Sequence, residues 1–378
     1  MEIELERYQE FRIEVLESQK MKIMVTAGLT EIRGQELLND KWYTLSNTKT
    51  SIFTFTGAKL KIDGNCDLHY KTHQQCFLQT FEYFDGNRDT PKTVLVLGKG
   101  RSTFCATVAN YFARMHKKID FVELDPSRGN IFPLCLSFLQ VDGFVDWQEG
   151  FKLSNPVVYF YGSLTVENTE LFDLQTSRLS DSLKTLGKET DDNLKEPSNS
   201  SFRLILCPEL SADEINSLAG KFMASEIVVI GDERLFHRMN FKVPKVFIQN
   251  NGYIAENTVS RSIYRYFNGT NNEYTPCSFI VKHDWEIVRI GELFSAPESA
   301  LPLGSTRKVG KTDICKTELV ENSILAVSSA EKEEDVVVSP VICFIVCLDE
   351  KKFRVLCTQP KLPKMKYLIQ GNLKYIDF

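Results

Sequence analysis

No apolar run in the sequence reaches the roughly 18 residues that a membrane-spanning helix needs. The first residues, MEIELERYQEF, are charged and lack the apolar segment of a secretory signal peptide. These two absences predict a chain that neither spans a membrane nor is exported through a signal peptide.

The ten cysteines include no CxxC pair, and no Cys/His spacing matches a zinc site. Cys343 and Cys347 lie in a largely apolar run, Val336 to Leu348, and positions four apart on a strand face the same side. We therefore expect buried thiols there. Cysteine use of this kind is typical of a reducing compartment, the cytosol or the nucleus.

The sequence also lacks an excess of positive charge, since its formal net charge is −5. This balance argues against nonspecific nucleic-acid binding by the whole surface, although it does not exclude a local basic groove. The 378 residues are 43% hydrophobic. That length and composition predict two or three domains with a substantial core.

Residues 1 to about 91 show the alternation of apolar and polar residues that predicts β-strands. Phe11, Ile13 and Val15 alternate with charged residues, and glycine turns separate this run from similar ones. Short strands with glycine turns favour a sandwich or a barrel.

The pattern changes at Pro91, where the continuous apolar run Thr93 to Leu97 predicts a strand covered on both faces. A glycine loop follows, and then a predicted helix from Ser102 to about Met115. Ser211 and Glu214 have the spacing of a helix capping box. Alternating strands and helices predict a parallel, doubly wound sheet. Its other predicted strands are Ile119 to Leu124, Val157 to Tyr161, Phe202 to Cys207, Ile227 to Ile230 and Val246 to Ile248.

Residues 187–201 are polar and rich in turn formers, so we expect a surface loop inside the middle domain. From about Pro276 the pattern changes again. Residues 336–348 and 353–358 predict a β-hairpin within a small third domain.

The layout of strand, Gly98-Lys99-Gly100-Arg101-Ser102-Thr103 and helix is that of a phosphate cradle, because a helix N-terminus offers unsatisfied N–H groups. A standard P-loop reads G-x-x-x-x-G-K-[ST]. Here the loop is three residues short and Arg101 stands where the lysine belongs. Arginine is a poor substitute for a point charge that fits between phosphates.

Other interpretations of this loop stay open at this point. Gly98-Lys99-Gly100 could begin a dinucleotide-binding G-x-G-x-x-G, but Thr103 occupies the place of the third glycine. The segment could equally be a simple strand-to-helix turn. Asp125, at the end of the next predicted strand, could be a magnesium ligand, a general base, or the cap of a turn with Pro126 and Ser127.

The chain resembles the Clp subunit of the pre-mRNA 3′-end cleavage and polyadenylation factor, a relative of the polynucleotide 5′-hydroxyl kinases. Several segments match in order along nearly the whole chain: ELERYQEFRIEVLESQ, AGLTEIRGQEL, IFTFTGAKLKIDG, VLVLGKGRSTFC, FVELD, TSRLSD, ERL, YRYFNG, LPLG and the final hairpin.

The resemblance implies a multidomain α/β chain of three domains. These are an N-terminal β-sandwich (1–91), a central P-loop ATPase- or kinase-like domain (92–275) and a small C-terminal α/β domain (276–378). It also implies ATP with magnesium between the first two domains, with Glu10 and Lys49 contacting the base. The phosphates would lie on the loop from Gly98 to Thr103, and Asp125 would hold the metal.

The departures from the family pattern concentrate at the chemistry. Arg101 replaces the loop lysine, and Cys207-Pro208-Glu209-Leu210 replaces T-x-G-W. The lid arginines align with Ser262 and Tyr264, and the segment after Tyr161-Gly162-Ser163 lacks the usual Pro-Gly. Four departures at one site predict that catalysis has been lost.

Three hypotheses follow. The first is a non-catalytic subunit of the nuclear 3′-end processing complex, holding a scaffold subunit and other processing proteins, with RNA contacted weakly or indirectly and with or without a structural ATP. The second is an active RNA 5′-hydroxyl kinase or slow ATPase that recruits Lys99 or Arg101 for the phosphates and Asp125 as base. The third is an unrelated dinucleotide-binding enzyme.

Overall fold

The structure is a computed structural model that describes residues 1–73, 76–193, 202–250, 259–270, 274–282, 284–291 and 310–375, apart from the side chains of 186–193. Segments of the chain group into two compact units. Unit 1 is Met1–Val122, Gln140–Ser154 and Leu194–Glu256, and unit 2 is Glu123–Leu139, Asn155–Asn193 and Asn257–Phe378. Among the described helices, none is long and apolar enough to cross a membrane.

Two antiparallel sheets form the N-terminal part of unit 1, in the orders β1-β8-β3-β6 and β5-β4-β7-β2-β9. Their alternating apolar residues meet in one core, which includes Phe11, Ile13 and Leu60. The predicted sandwich is therefore confirmed. Its strands are β1 (Glu2–Leu5), β2 (Glu10–Val15), β3 (Met21–Gly28), β4 (Glu31–Ile32), β5 (Gln35–Glu36), β6 (Trp42–Leu45), β7 (Thr48–Phe53), β8 (Ala58–Gly64) and β9 (Leu68–Thr72).

The expectation that residues 1–91 are all β-structure is wrong at its end, because Cys76–Asn87 forms helix α1. Phe77, Thr80, Tyr83 and Phe84 are its buried residues. Their spacing of three, six and seven residues is the period of a helix face rather than a strand.

Unit 1 also contains parallel strands. Here β10 (Thr93–Gly98) pairs with β14 (Phe202–Leu206) and β15 (Glu226–Ile230), and β15 pairs with β16 (Lys245–Ile248). The predicted strands are confirmed within one residue at each end, but the last of them is half-buried at three of its four residues instead of fully buried. The elements are β10 (Thr93–Gly98), α2 (Arg101–Arg114), β11 (Ile119–Glu123), β14 (Phe202–Leu206), α4 (Ala212–Lys221), β15 (Glu226–Ile230), α5 (Glu233–Arg238) and β16 (Lys245–Ile248).

Helix α2 is fixed by a hairpin of the sandwich. Tyr111 donates a hydrogen bond to the Glu31 carboxylate at 2.5 Å, and Asn110 Nδ2 donates to the Arg33 carbonyl at 2.8 Å. Between these contacts, Gly34 has a φ of 76°, and a Cβ there would lie 2.9 Å from the Thr107 carbonyl. The hairpin therefore packs directly against the helix that follows the phosphate loop.

In unit 2, β12 (Cys135–Val141) pairs antiparallel with β13 (Val157–Phe160). The expectation of a purely parallel sheet is therefore wrong here. The intervening residues 142–156 contain no helix. An antiparallel neighbour needs no helical crossover, whereas a parallel one does.

Helix α3 covers Thr169–Asn193. The expected surface loop at 187–201 is therefore wrong for its first seven residues, and 194–201 lie outside the described residues. Residues 187–193 contain no proline, so nothing in the backbone prevents the helix from continuing there. Unit 2 also contains helix α6 (Val259–Asn268). The LPLG segment, 301–304, is also outside the described residues.

A seven-stranded sheet, ordered β17-β22-β21-β20-β23-β18-β19, forms the C-terminal part of unit 2. The predicted hairpin is confirmed, but its first strand begins at Val341, since Glu333–Val338 is a 3-10 helix and Pro340 follows it. Cys343 and Cys347 lie together in one buried cluster, as expected. The strands are β17 (Cys277–Ile280), β18 (Glu286–Ile290), β19 (Ile314–Lys316), β20 (Ser323–Ser328), β21 (Val341–Asp349), β22 (Arg354–Cys357) and β23 (Tyr367–Lys374).

The predicted capping box is present at the start of α4, where Ser211 Oγ accepts from the Glu214 N–H and the Glu214 carboxylate accepts from the Ser211 N–H. We expect Ser211→Ala to lower the free energy of unfolding by about 1 kcal/mol in urea titrations. Ser217→Ala, at an exposed position within the same helix, is the matched control and should be neutral or slightly stabilising. Equal effects would contradict a role for the cap.

Candidate nucleotide site

The loop from β10 to α2 makes a tight turn that only glycine allows. Gly98 and Gly100 have φ values of 88° and 95°, in the left-handed region. A Cβ on Gly98 would lie 2.2 Å from the Ile230 carbonyl oxygen, and one on Gly100 would lie 2.5 Å from Asn250 Nδ2. Gly98 is therefore required by close backbone approach as well as by conformation, whereas Gly100 is required mainly by its left-handed conformation.

Arg101 begins helix α2, yet its side chain is directed back into the loop. The residue is only 3% exposed, and its Nη1 donates a hydrogen bond to the Gly98 carbonyl at 2.8 Å. A cation at the first turn opposes the helix dipole, and no acidic residue lies in that turn. The guanidinium is thus buried against the carbonyl of Gly98 instead of extending from the loop into solvent.

The side chain of Asn250, just beyond β16, also contacts the loop. Its Nδ2 donates to the Lys99 carbonyl at 3.0 Å, and the Lys99 N–H donates to the Ile230 carbonyl at 2.8 Å. The Lys99 side chain is exposed. Ser102 and Thr103 are half-buried in the first turn of α2. The N–H and carbonyl groups of Lys99 are therefore already hydrogen-bonded within unit 1.

Glu10, which the resemblance assigns to the nucleotide base, is fully buried in β2. It accepts hydrogen bonds from Arg12 Nε at 3.1 Å, Ser51 Oγ at 3.1 Å and Cys76 Sγ at 3.4 Å. Burial raises the pKa of Glu10, and Arg12 opposes that rise. Both carboxylate oxygens are engaged within the sandwich.

Lys49 lies on β7, opposite Glu14 rather than Glu10. Its Nζ forms an ion pair with Glu14 at 3.0 Å, with the lysine side chain 54% exposed. Glu10 faces Phe53 in the same pair of strands, so the two predicted base contacts are separated by four residues, about 13 Å along the strand. Their assignment to the base stays a prediction.

Asp125, the predicted metal ligand, is buried in unit 2. Its Oδ1 accepts from the Ser127 N–H at 3.0 Å and from Ser127 Oγ at 2.6 Å, and its Oδ2 accepts from Arg128 Nε at 3.3 Å. These are the contacts of a turn cap and an ion pair. Nowhere in the described part of the chain do three or more His, Cys, Asp or Glu side chains cluster as a metal site would require. The magnesium role stays a prediction.

Glu123, two residues earlier, lies in the matched segment FVELD but was given no role from the sequence. Its carboxylate accepts from the Asn130 N–H, Asn130 Nδ2 and the Ile131 N–H, and so holds the turn after β11. Burial raises the pKa of Glu123 from 4.5 to about 7. The folded state therefore binds this proton more readily than the unfolded state, and stability falls as pH rises from 4.5 to 7.

We expect the melting temperature of the wild type, minus that of Glu123→Gln, to grow as pH is lowered through this window, because glutamine does not titrate. Over the whole window, the contribution of Glu123 to the free energy of unfolding changes by about 3 kcal/mol, because each pKa unit corresponds to about 1.4 kcal/mol. Thermal unfolding at a series of pH values measures it. A difference that is independent of pH would show that Glu123 does not titrate there.

The position of one absent lid arginine is filled by packing. Ser262 on α6 lies against Gly129, where an added Cβ would be 3.0 Å from the Ser262 Cβ. Ser262 is 4% exposed, and its Oγ donates to the Arg128 carbonyl at 3.4 Å. A long arginine side chain has no room in this arrangement.

Sequence reasoning missed Arg12 and Asn250 as well as Glu123. Arg12 had a detectable signal, because it stands two residues from Glu10 on the same face of a strand. Asn250 had none, since its contact with Lys99 joins residues that are 151 positions apart.

Three family models match consecutive parts of the chain. The N-terminal β-sandwich domain of polyadenylation factor matches residues 4–87, and the mRNA cleavage and polyadenylation factor CLP1 P-loop matches 98–269. The pre-mRNA cleavage complex II protein Clp1 matches 275–377. The chain belongs to the Clp1 family.

Curated relatives in the Clp1 family cover nearly the full chain at low identity. The polyribonucleotide 5′-hydroxyl-kinase Clp1 of Bos taurus is 29% identical over 99% of this chain and 96% of its own length. The human protein of the same name is 28% identical, with the same coverage. The Clp1 homolog of Dictyostelium discoideum is 28% identical over 99% of this chain and 89% of its own length.

Solved structures of Clp1 proteins share the fold. A wild-type Clp1p–Pcf11p complex has a TM-score of 0.81 at 18% identity, covering 100% of this chain and 98% of that chain. A second structure has a TM-score of 0.78 at 18% identity, covering 100% and 99%. It is described as showing an extended Pcf11p–Clp1p interface and the basis of ATP loss in a glycine-to-arginine mutant.

Proposed function

We propose that the protein is a non-catalytic subunit of the nuclear pre-mRNA 3′-end cleavage and polyadenylation complex. It bridges to a scaffold subunit and does not transfer phosphate. The observation that carries the loss of catalysis is the buried Arg101 side chain, which is hydrogen-bonded to the Gly98 carbonyl inside the phosphate loop. A side chain in that position takes the space of the nucleotide phosphates.

Three other charged residues of the predicted site are also engaged within their own units. Glu10 is held by Arg12, Lys49 pairs with Glu14, and Asp125 is held by Ser127 and Arg128. A catalytic base or a metal ligand must be able to exchange partners during turnover. Buried carboxylates that are already bonded to several donors are poorly suited to this.

The bridging role is supported by the Clp1 domains along the chain and by the fold it shares with Clp1p in complex with Pcf11p. We propose a scaffold partner of the same kind, which places the protein in the nucleus. The affinity of such a contact comes from surface complementarity, which does not require an active phosphate loop.

A pull-down with the full chain as bait tests the bridging role. We expect capture of cleavage-factor subunits from nuclear extract, and direct binding of a recombinant segment of a Pcf11-like scaffold. Capture should be unchanged by millimolar ATP. Absence of all cleavage-factor subunits would remove the proposal.

The alternative is an active RNA 5′-hydroxyl kinase. It is favoured by the exposed Lys99 side chain at the loop and by the kinase names of the mammalian relatives. Transfer of labelled γ-phosphate to a 5′-hydroxyl RNA, abolished by Asp125→Asn, would establish it. We expect no transfer above that of the Asp125→Asn protein.

A further inference from the structure

The segment that joins β22 to β23 is an unusual stretch of surface. Its residues 360–366, PKLPKMK, are called the basic strap below. Leu362 and Met365 pack against the buried cluster on one face of the C-terminal sheet. Lys361, Lys364 and Lys366 alternate with these two anchors and are exposed. Lys361 and Lys364 are thus exposed on a segment that two buried anchors fix in place, while Lys366 pairs with Glu286.

Two prolines stiffen the basic strap. Pro360 and Pro363 each fix a backbone φ, and the Met365 N–H donates to the Pro363 carbonyl at 3.0 Å. A segment that is already ordered loses little backbone entropy when it binds a partner. The lysine positions are therefore set in advance, although their side chains still move.

The acidic groups near the basic strap do not neutralise it. Glu286 is shared by two lysines, with its carboxylate 3.2 Å from Lys366 Nζ and 2.9 Å from Lys316 Nζ. Within the described ranges, neither Lys361 nor Lys364 has an acidic partner. Lys361 and Lys364 therefore form a local excess of positive charge in a chain of net charge −5.

We propose that the basic strap binds the phosphate backbone of single-stranded RNA. Lysines act as point charges that contact phosphates without reading bases, so binding should be independent of sequence and sensitive to salt. An acidic protein segment would satisfy the same charges. RNA is favoured because the chain belongs to a family of mRNA cleavage factors. The choice of RNA therefore rests on the proposed function.

The test is fluorescence anisotropy of a labelled oligouridylate with the full chain, measured over a range of NaCl concentrations. The double variant Lys361→Ala/Lys364→Ala removes two phosphate contacts. We expect the magnitude of the negative slope of log K against log salt to decrease by about 1.4, and binding at low salt to weaken on the order of tenfold.

The matched control is Lys351→Ala/Lys352→Ala, which removes two exposed lysines from the turn between β21 and β22. It should bind RNA as the wild type does. Urea unfolding verifies that both variants are folded. Equal weakening in both variants, or no RNA binding by the wild type, would overturn the proposal.

A labelled poly-glutamate peptide forms the second arm. If it binds the wild type as tightly as RNA and loses affinity in the strap variant, the partner is an acidic protein segment and the RNA proposal is wrong. Capture of a Pcf11-like scaffold segment is measured separately. If the strap variant captures the scaffold segment but no longer binds RNA, both proposals are supported. If the wild type fails to capture the scaffold segment, only the proposed function is contradicted.

Discussion

Arg12→Met is expected to lower the free energy of unfolding by about 3–5 kcal/mol, because it leaves the Glu10 carboxylate buried without its cation. Glu10 is 0% exposed and Arg12 is 2% exposed, and two arginine nitrogens lie 3.1 Å from the same carboxylate oxygen. Urea unfolding followed by circular dichroism at neutral pH measures the loss.

Two further variants show whether the loss belongs to the buried pair. Arg12→Met combined with Glu10→Gln should recover most of the stability, because the uncompensated charge is then gone. Lys49→Met makes the same kind of change in the exposed pair with Glu14, and should cost less than about 1 kcal/mol. Similar losses from Arg12→Met and Lys49→Met would contradict the buried arrangement.

Gly98→Ala is expected to destabilise the protein by at least about 3 kcal/mol, through backbone strain and a steric clash. Its φ of 88° is unfavourable for alanine, and the added Cβ would meet the Ile230 carbonyl oxygen at 2.2 Å. That oxygen also accepts from the Lys99 N–H. The loop and the end of β15 would have to separate, which chemical denaturation would report as a lower midpoint.

Gly86→Ala is the control for this substitution. Gly86 lies in helix α1, and a Cβ there meets nothing within 4 Å. Alanine should stabilise that helix by up to about 1 kcal/mol, since it has the higher helix propensity. If Gly98→Ala were as harmless as Gly86→Ala, the close approach of the phosphate loop to β15 would be wrong.

Local patterns were enough to place the phosphate loop and most of its sheet. A continuous apolar run such as Thr93 to Leu97 predicts a strand buried on both faces, because few other environments accept it. A glycine directly after that run predicts a sharp turn into the next helix. The Ser211 capping box is equally local, since both of its hydrogen bonds lie within four residues.

Strand partners and buried polar contacts could not be predicted in the same way. The antiparallel pairing of β12 with β13 depends on which edge of a sheet is open, and no single segment encodes that. Asn250 meets the Lys99 carbonyl only in the folded chain. Helix α1 was detectable, but alternation earlier in the sandwich made a strand the simpler expectation.

The direction of the Arg101 side chain in the phosphate loop could also not be predicted from the sequence. The sequence shows that Arg101 replaces a lysine, but an arginine there could extend toward a ligand or fold back into the loop. Its burial and its bond to the Gly98 carbonyl show the second arrangement. The proposed loss of catalysis therefore rests on the buried Arg101 side chain as well as on the missing lysine.

A thermal-shift titration of the full chain with Mg-ATP measures whether the buried Arg101 side chain keeps nucleotide out of the phosphate loop. A ligand that binds the native state raises the melting temperature by mass action. At a free ligand concentration of about 100 times Kd, it would raise the free energy of unfolding by about 2.7 kcal/mol. We predict no shift at millimolar Mg-ATP, with Arg101 in place. A concentration-dependent rise of several degrees would show that nucleotide binds and that the Arg101 side chain does not exclude it.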